Sequence, residues 1–243
     1  MPKKPQQNTS FQKNLPNVLT LFRVLALPFV VYFLQKESSL LRFIAFLTFV
    51  LAAISDFVDG YLARRWQIES EFGKFMDPLA DKFLVVGSFI TLMYYDAQIS
   101  FWMVAVIILR DIMITGLRIL AIKNGSSMRT SWTGKVKTGF QMGAIITILL
   151  LYTIVSNEDR NSINNIYISS GAGISTVAAA QFLELVTFFQ TEYFDFYRFV
   201  YLVTSFLPYF GMMLTLIITV YSGLMYLAEN KKLLTIAALK KLF

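Results

Sequence analysis

Residues 55–82 read SDFVDGYLARRWQIESEFGKFMDPLADK, and this stretch decides how the rest of the chain is understood. It carries four aspartates, Asp56, Asp59, Asp77 and Asp81, in a chain that is 56% hydrophobic. Ionisable groups at the edge of a lipid-embedded segment are costly and need partners. Residues three, four, seven and eight apart share a helix face. Asp56, Asp59, Gly60, Ala63 and Arg64 therefore fall within an arc of roughly 140° at 100° per residue. Gly73, Asp77 and Asp81 form a second stripe with a spacing of four. Two helix ends would then aim two carboxylates each at one point. Only one arginine stands on the first stripe, so a divalent cation is the compensation the pattern asks for. Hard cations such as Mg²⁺ take oxygen ligands and bring phosphate with them.

Composition sets the frame. A positive mean hydropathy and the apolar share exclude a water-soluble domain and predict an all-α, polytopic membrane protein with six transmembrane helices. The polar, basic start MPKKPQQNTSFQKNLPN lacks a small-residue cleavage site, so no cleavable signal peptide is expected. The chain has no cysteine, hence no disulfide and no thiol nucleophile. It has no histidine either, which leaves Asp, Glu, Lys or Tyr to move protons. The net charge of +7 reads as membrane topology and not as nucleic-acid binding.

Along the chain, residues 1–13 read as a polar tail and 14–243 as one membrane domain. Spans are expected at about 18–34, 40–65, 78–95, 101–122, 136–155 and 200–227. Pro78 suits a first helical turn, which makes 66–76 a short loop. Asn17, Thr20 and Arg23 recur every third residue at the start of the first span and read as a cap with an interfacial arginine. The fourth span is interrupted by Arg110, Asp111 and Arg118, and the two arginines share a face. Mid-span arginines face a protein interior or a wet cavity, while Arg118 near the end also suits snorkelling. Asp111 suits pairing with a neighbouring arginine. Lys135 and Lys137 open the fifth span, after a polar loop at 123–137. Residues 157–195 read as an insertion: the Asn- and Ser-rich NEDRNSINNIYISSGAGIS as a loop, and VAAAQFLELVTFF as an interfacial or re-entrant helix too short to span. The tail ENKKLLTIAALKKLF looks amphipathic and suits an anionic membrane surface.

Of the 22 lysines and arginines, only Lys36, Arg42, Arg160 and Arg198 fall on one side of the expected membrane. The positive-inside rule places both termini and the aspartates in the cytoplasm.

The spacing Asp56-x2-Asp59-Gly60-x2-Ala63-Arg64-x8-Gly73-x3-Asp77-x3-Asp81 resembles, without gap or substitution, the signature of the CDP-alcohol phosphatidyltransferases. The resemblance implies displacement at phosphorus: an acceptor hydroxyl attacks CDP-diacylglycerol and CMP leaves. It implies two Mg²⁺ or Mn²⁺ ions with Asp56, Asp59 and Asp77 as ligands. Asp81 would serve the second ion or act as the catalytic base. Gly60 and Ala63 would let the nucleotide approach the helix backbone, and Arg64 would hold phosphate as a planar donor fork. Gly73 would relieve crowding near the ligand or is a plain turn glycine. The stretch LPNVLTLFR resembles the family's amino-terminal segment, so Asn17 and Thr20 join the CDP-lipid site.

WTGKVKTGFQM is similar to the matching stretch in the phosphatidylglycerophosphate synthase branch. That branch implies glycerol-3-phosphate as acceptor, with Arg110, Arg118, Lys135 and Lys137 holding its phosphate. Asp111 is a mild departure, since the branch more often has Glu there. The resemblance further implies a bacterial inner-membrane enzyme among membrane lipids, and it allows a homodimer. Two alternatives remain at this point: a cardiolipin synthase of the same superfamily, and a divalent-cation transporter. The transporter would need carboxylates near the bilayer midplane on several spans, whereas these cluster at one edge beside an arginine.

Overall fold

The computed structural model describes residues 10–66, 71–123, 132–190 and 193–231. Their side chains are described except at 10–17, 56, 57, 59–66, 71–79, 81 and 120–123. The described residues form eight α-helices and no strand: α1 (Ser10–Leu34), α2 (Ser39–Trp66), α3 (Glu71–Tyr95), α4 (Phe101–Lys123), α5 (Trp132–Ile154), α6 (Asn157–Ser169), α7 (Ile174–Phe188) and α8 (Phe196–Glu229). The first nine residues and the basic tail from 232 lie outside the described part. α5 and α8 are long and apolar enough to cross a membrane. The six expected spans fall within α1 to α5 and α8, and α6 and α7 are additional.

Several boundaries differ from expectation. α1 begins at Ser10, so Asn17 lies inside a helix and does not cap one. Arg23 is fully buried and not interfacial. α3 begins at Glu71, so Pro78 stands beyond its second turn and the stretch 71–76 is helical. A proline forfeits one backbone bond, and helices carry that loss where neighbours re-satisfy the freed carbonyl. α5 begins at Trp132, which moves Lys135 and Lys137 from the loop edge into the first two turns.

The chain divides into two compact units. Residues 1–91 with 152–154 make the first, in which α1 packs on α2. Buried residues recur every three or four positions, as in Arg23, Ala26, Leu27, Val30 and Leu34 on α1 and Arg42, Ala45, Phe49 and Ala52 on α2. That period places them on one helical face. Gly87 of α3 admits the Leu27 side chain so closely that a Cβ there would lie 2.2 Å from Leu27 Cδ2.

The second unit holds residues 92–151 and 155–243, with α4 and α7 packed on α8 and α6 against α7. The expected loop at 157–169 is the helix α6. Ser156 caps it by accepting from the Asp159 backbone N–H at 3.1 Å, with Glu158 and Asp159 in its first turn. Carboxylates there complement the helix dipole. Ile163 and Tyr167, four apart, supply its buried face, and the Asn and Ser run covers the rest. The Asp159 carboxyl is held below its ordinary range by hydrogen bonds from Tyr197 Oη and then Ser156 Oγ.

α8 contains Pro208, which leaves the Thr204 carbonyl without its in-helix donor. Gln98 Nε2, from the turn before α4, donates to that carbonyl at 2.9 Å. Next to it, Tyr167 Oη donates to the Ser205 carbonyl at 2.6 Å. The gap that the proline leaves in the ladder is thus filled by a side chain from outside the helix. If that account holds, Gln98→Ala leaves a buried acceptor unpaired and costs about 1–3 kcal/mol. In a Pro208→Ala background the restored N–H serves the same carbonyl, and the cost of Gln98→Ala should shrink by at least about 1 kcal/mol. Thermal midpoints of the four proteins in one detergent measure the difference, and equal costs in both backgrounds would refute it.

Candidate active site

The aspartate signature spans two helices. Asp56, Asp59, Gly60, Ala63 and Arg64 stand on α2, and Gly73, Asp77 and Asp81 on α3. The backbone is helical through both sets, so the three- and four-residue spacings place each set on one helical face. Gly73 is therefore a helical residue and not a turn glycine. The side chains of all eight residues, and of Asn17, lie outside those described. Thr20, one turn after Asn17 on α1, is fully buried, as is Arg23. Four carboxylates on two helices are the oxygen-rich donor set that hard divalent cations take.

The second unit gathers a different kind of site. Lys137 of α5 is 2% exposed and donates from Nζ to both carboxylate oxygens of Asp111 on α4, at 2.6 and 2.7 Å. Arg110 donates from Nη1 to Asp111 Oδ1 at 3.2 Å and from Nη2 to Ser222 Oγ of α8 at 2.9 Å. Gly223 lets the arginine lie flat along α8: a Cβ there would stand 3.2 Å from its Cγ and Nε. Among the described residues, two cations thus face the one carboxylate. Asp111 pairs with its neighbouring arginine, as its position suggests, and more closely with a lysine from another helix.

Of the four basic residues singled out in sequence, Arg110 and Lys137 thus meet on Asp111. Arg118 is half-buried farther along α4 and Lys135 is exposed on α5. Ser222 and Gly223 were not found from sequence. Their only signal there is a small polar pair inside the bulky run TVYSGLMYL. Gln141, one turn past Lys137, and Thr219, one turn before Ser222, are buried with Nε2 and Oγ1 unpartnered, and Arg110 Nε is buried in the same condition. Unpaired buried polar atoms are costly, so three within one turn of the ion pair mark a place suited to a polar ligand or to water.

Residues 13–178 match the family model for CDP-alcohol phosphatidyltransferase. A protein of Sodalis glossinidius named CDP-diacylglycerol–glycerol-3-phosphate 3-phosphatidyltransferase is 37% identical over 187 residues, covering 75% of this chain and 94% of the relative. The Escherichia coli K12 protein of the same name is 42% identical over 143 residues, covering 57% of this chain and 78% of its own. α8, with Ser222 and Gly223, lies beyond the residues that the family model matches.

The Asp111–Lys137 pair carries a stability prediction. Asp111→Leu removes the carboxylate that faces the buried Lys137 ammonium and should cost about 3–5 kcal/mol. Adding Lys137→Met removes the ammonium as well and should recover most of that loss, because apolar replacement of a buried pair is often close to neutral. Denaturation of the single and double variants in detergent tests this. A double variant no more stable than Asp111→Leu would show that the pair is not the source of the cost.

Proposed function

The chain belongs to the CDP-alcohol phosphatidyltransferase family, and from that membership we propose that it acts as a CDP-diacylglycerol–glycerol-3-phosphate 3-phosphatidyltransferase. The observation that carries the reading is the unbroken eight-position aspartate signature within the family-matched residues. The names of relatives matched over 94% and 78% of their length support the acceptor.

In the reaction, the primary hydroxyl of glycerol-3-phosphate attacks the lipid-side phosphorus of CDP-diacylglycerol. A new P–O bond forms, the P–O bond to CMP breaks, and the hydroxyl proton passes to Asp81. Asp56, Asp59, Asp77 and Asp81 would hold two Mg²⁺ or Mn²⁺ ions, whose chemistry when bound is to neutralise the pyrophosphate and the charge on attacking and leaving oxygens. Arg64 anchors a phosphate of the CDP-lipid. Gly60, Ala63 and Gly73 keep the helix surfaces low where the nucleotide lies, and Asn17 and Thr20 border it.

The basic residues of α4 and α5 receive the acceptor's phosphomonoester. Arg110 leads, since its guanidinium is oriented by Asp111 and Ser222. Lys137 acts through Asp111, and Arg118 and Lys135 extend the positive field. Gln141 and Thr219 offer polar groups to the hydroxyls of a small polyol. A phosphorylated acceptor suits this cluster better than the diacylated one of a cardiolipin synthase.

We place α1 to α5 and α8 across the membrane as six spans. Both termini and the aspartates then face the cytoplasm, the side to which CMP must be released. The bacterial relatives suit the inner membrane.

Two predictions follow from the divided labour. Asp→Asn at each of Asp56, Asp59, Asp77 and Asp81 should abolish most turnover in a folded protein, as should EDTA, with Mg²⁺ or Mn²⁺ restoring it. Full activity in chelator, or in any two of the variants, would overturn the two-metal reading. Charge-assisted bonds contribute roughly 1.5–3 kcal/mol, so Arg110→Gln should raise the apparent KM for glycerol-3-phosphate about ten- to a hundredfold. The KM for CDP-diacylglycerol should hardly move. A rise confined to the CDP-lipid would reassign Arg110, and a wild type that ignores glycerol-3-phosphate but accepts phosphatidylglycerol would be a cardiolipin synthase.

A further inference from the structure

α7 carries apolar side chains on its exposed side as well as on its buried one. Val177, Ala178, Leu185 and Phe188 pack inward, while Phe182, Leu183, Val186 and Phe189 are exposed, Leu183 and Phe189 at 62%. Tyr193 and Phe194 before α8, and Phe196 and Tyr197 in its first turn, are exposed as well. Water is a poor neighbour for so large a contiguous apolar patch.

The contacts fix where this patch stands along α8. Phe189 meets the Phe199 ring, and Phe182 meets the rings of Phe206 and Phe210. α7 therefore runs antiparallel to α8 beside 199–210. The same stretch of α8 is tied to the turn before α4 through Gln98 and Thr204. α6 is tied to it as well, with Asn164 Nδ2 donating to the Tyr95 carbonyl and the Ala97 N–H donating to Asn164 Oδ1. Around that turn Tyr94, Phe101 and Trp102 are exposed. Aromatic residues gathered at one level of a span mark the membrane–water boundary. α8 continues past this level for some 25 residues, about 38 Å, enough to cross the hydrocarbon.

α7 thus lies at the aromatic level and on its hydrocarbon side, and α6 turns its Asn161, Ser162 and Asn165 outward nearby. Glu184, the one charged residue of α7, falls opposite α8 residues near 203–205, at the boundary, where a carboxylate reaches water. Arg198, 5.9 Å from the Phe188 ring, puts a cation at the same level, where lipid phosphates lie.

We propose that α7 and the aromatic turn 193–199 form an interfacial anchor seated in the headgroup–acyl boundary of the leaflet that borders Tyr94–Trp102. Its partner is the bilayer itself, continuous with the lipid that surrounds α8. The inference rests on α8 crossing the membrane, as in the six-span reading above.

The absence of cysteine makes the test direct. Leu183→Cys, Val186→Cys, Asn161→Cys and Ile217→Cys are spin-labelled singly in the full chain. Each is reconstituted in vesicles of phosphatidylethanolamine and phosphatidylglycerol. Collision rates with oxygen, which favours lipid, are compared with those of a water-soluble nickel chelate. Labels at 183 and 186 should favour oxygen severalfold, at a depth shallower than 217, while 161 favours nickel. Nickel preference at 183 and 186 with 217 in lipid would overturn the anchor and leave the six-span reading standing. Labels at 183 and 186 shielded from both reagents, with spin–spin broadening, would show a second copy on the patch and overturn it equally. Nickel preference at 217 would instead remove the six-span reading and the anchor with it.

Discussion

Gln98 gives its side-chain amide to the carbonyl that Pro208 has orphaned, and much of the second unit follows from that bond. Lipid supplies no hydrogen-bond partner, so every freed backbone group must be met from within the protein. The bond requires the turn before α4 to sit beside the first third of α8. Asn164 then satisfies that turn's own backbone at Tyr95 and Ala97, which brings α6 to the same place. Tyr167, one turn on, reaches the Ser205 carbonyl beside the proline. A single missing N–H thus has side chains from two neighbouring elements arranged around it. Elsewhere several hydroxyls meet the same rule by turning inward on their own helices. Thr204, Thr215 and Thr91 each donate to the carbonyl four residues earlier.

Charge is handled by the same economy. Asp111 takes Lys137 and Arg110 Nη1, and Ser222 takes Arg110 Nη2. Pairing buried charges stabilises little compared with apolar packing, so a cluster of this kind in a lipid-exposed fold points to use. Arg110 is held by Asp111 on its own helix and by Ser222 of α8, so its guanidinium is already oriented. Lys137, singled out in sequence for its charge, donates to both oxygens of the carboxylate that also accepts from Arg110.

Much of this was legible beforehand. The five helices before residue 155 and α8 announce themselves by length and apolarity, and the aspartate stripes by their spacing. The helix starts were less legible, because polar first turns such as SFQKNLPN and EFGKFM look like loop when hydropathy alone is read. α6 was missed for a related reason. Its Asn and Ser residues favour turns in isolation, and only the Ser156 cap with Glu158 and Asp159 behind it argued for a helix. The partners Gln98, Asn164 and Ser222 were invisible, since each is an ordinary polar residue until the backbone or cation it serves is placed opposite it.

The residue inventory also limits the chemistry that the chain can perform. With neither histidine nor cysteine, no side chain titrates near neutrality by its ordinary value. A carboxylate with an ordinary pKa takes a proton poorly from an alcohol, so an aspartate base as proposed above would not drive the reaction by basicity. The barrier must fall by other means: holding hydroxyl and phosphorus in line, and meeting charge as it develops on the leaving phosphate. That requirement suits the place of the aspartate signature, on long helices and not on loops. A helix surface holds Asp56 against Asp59, or Asp77 against Asp81, at fixed spacing, and catalysis that relies on position more than on proton affinity needs that rigidity.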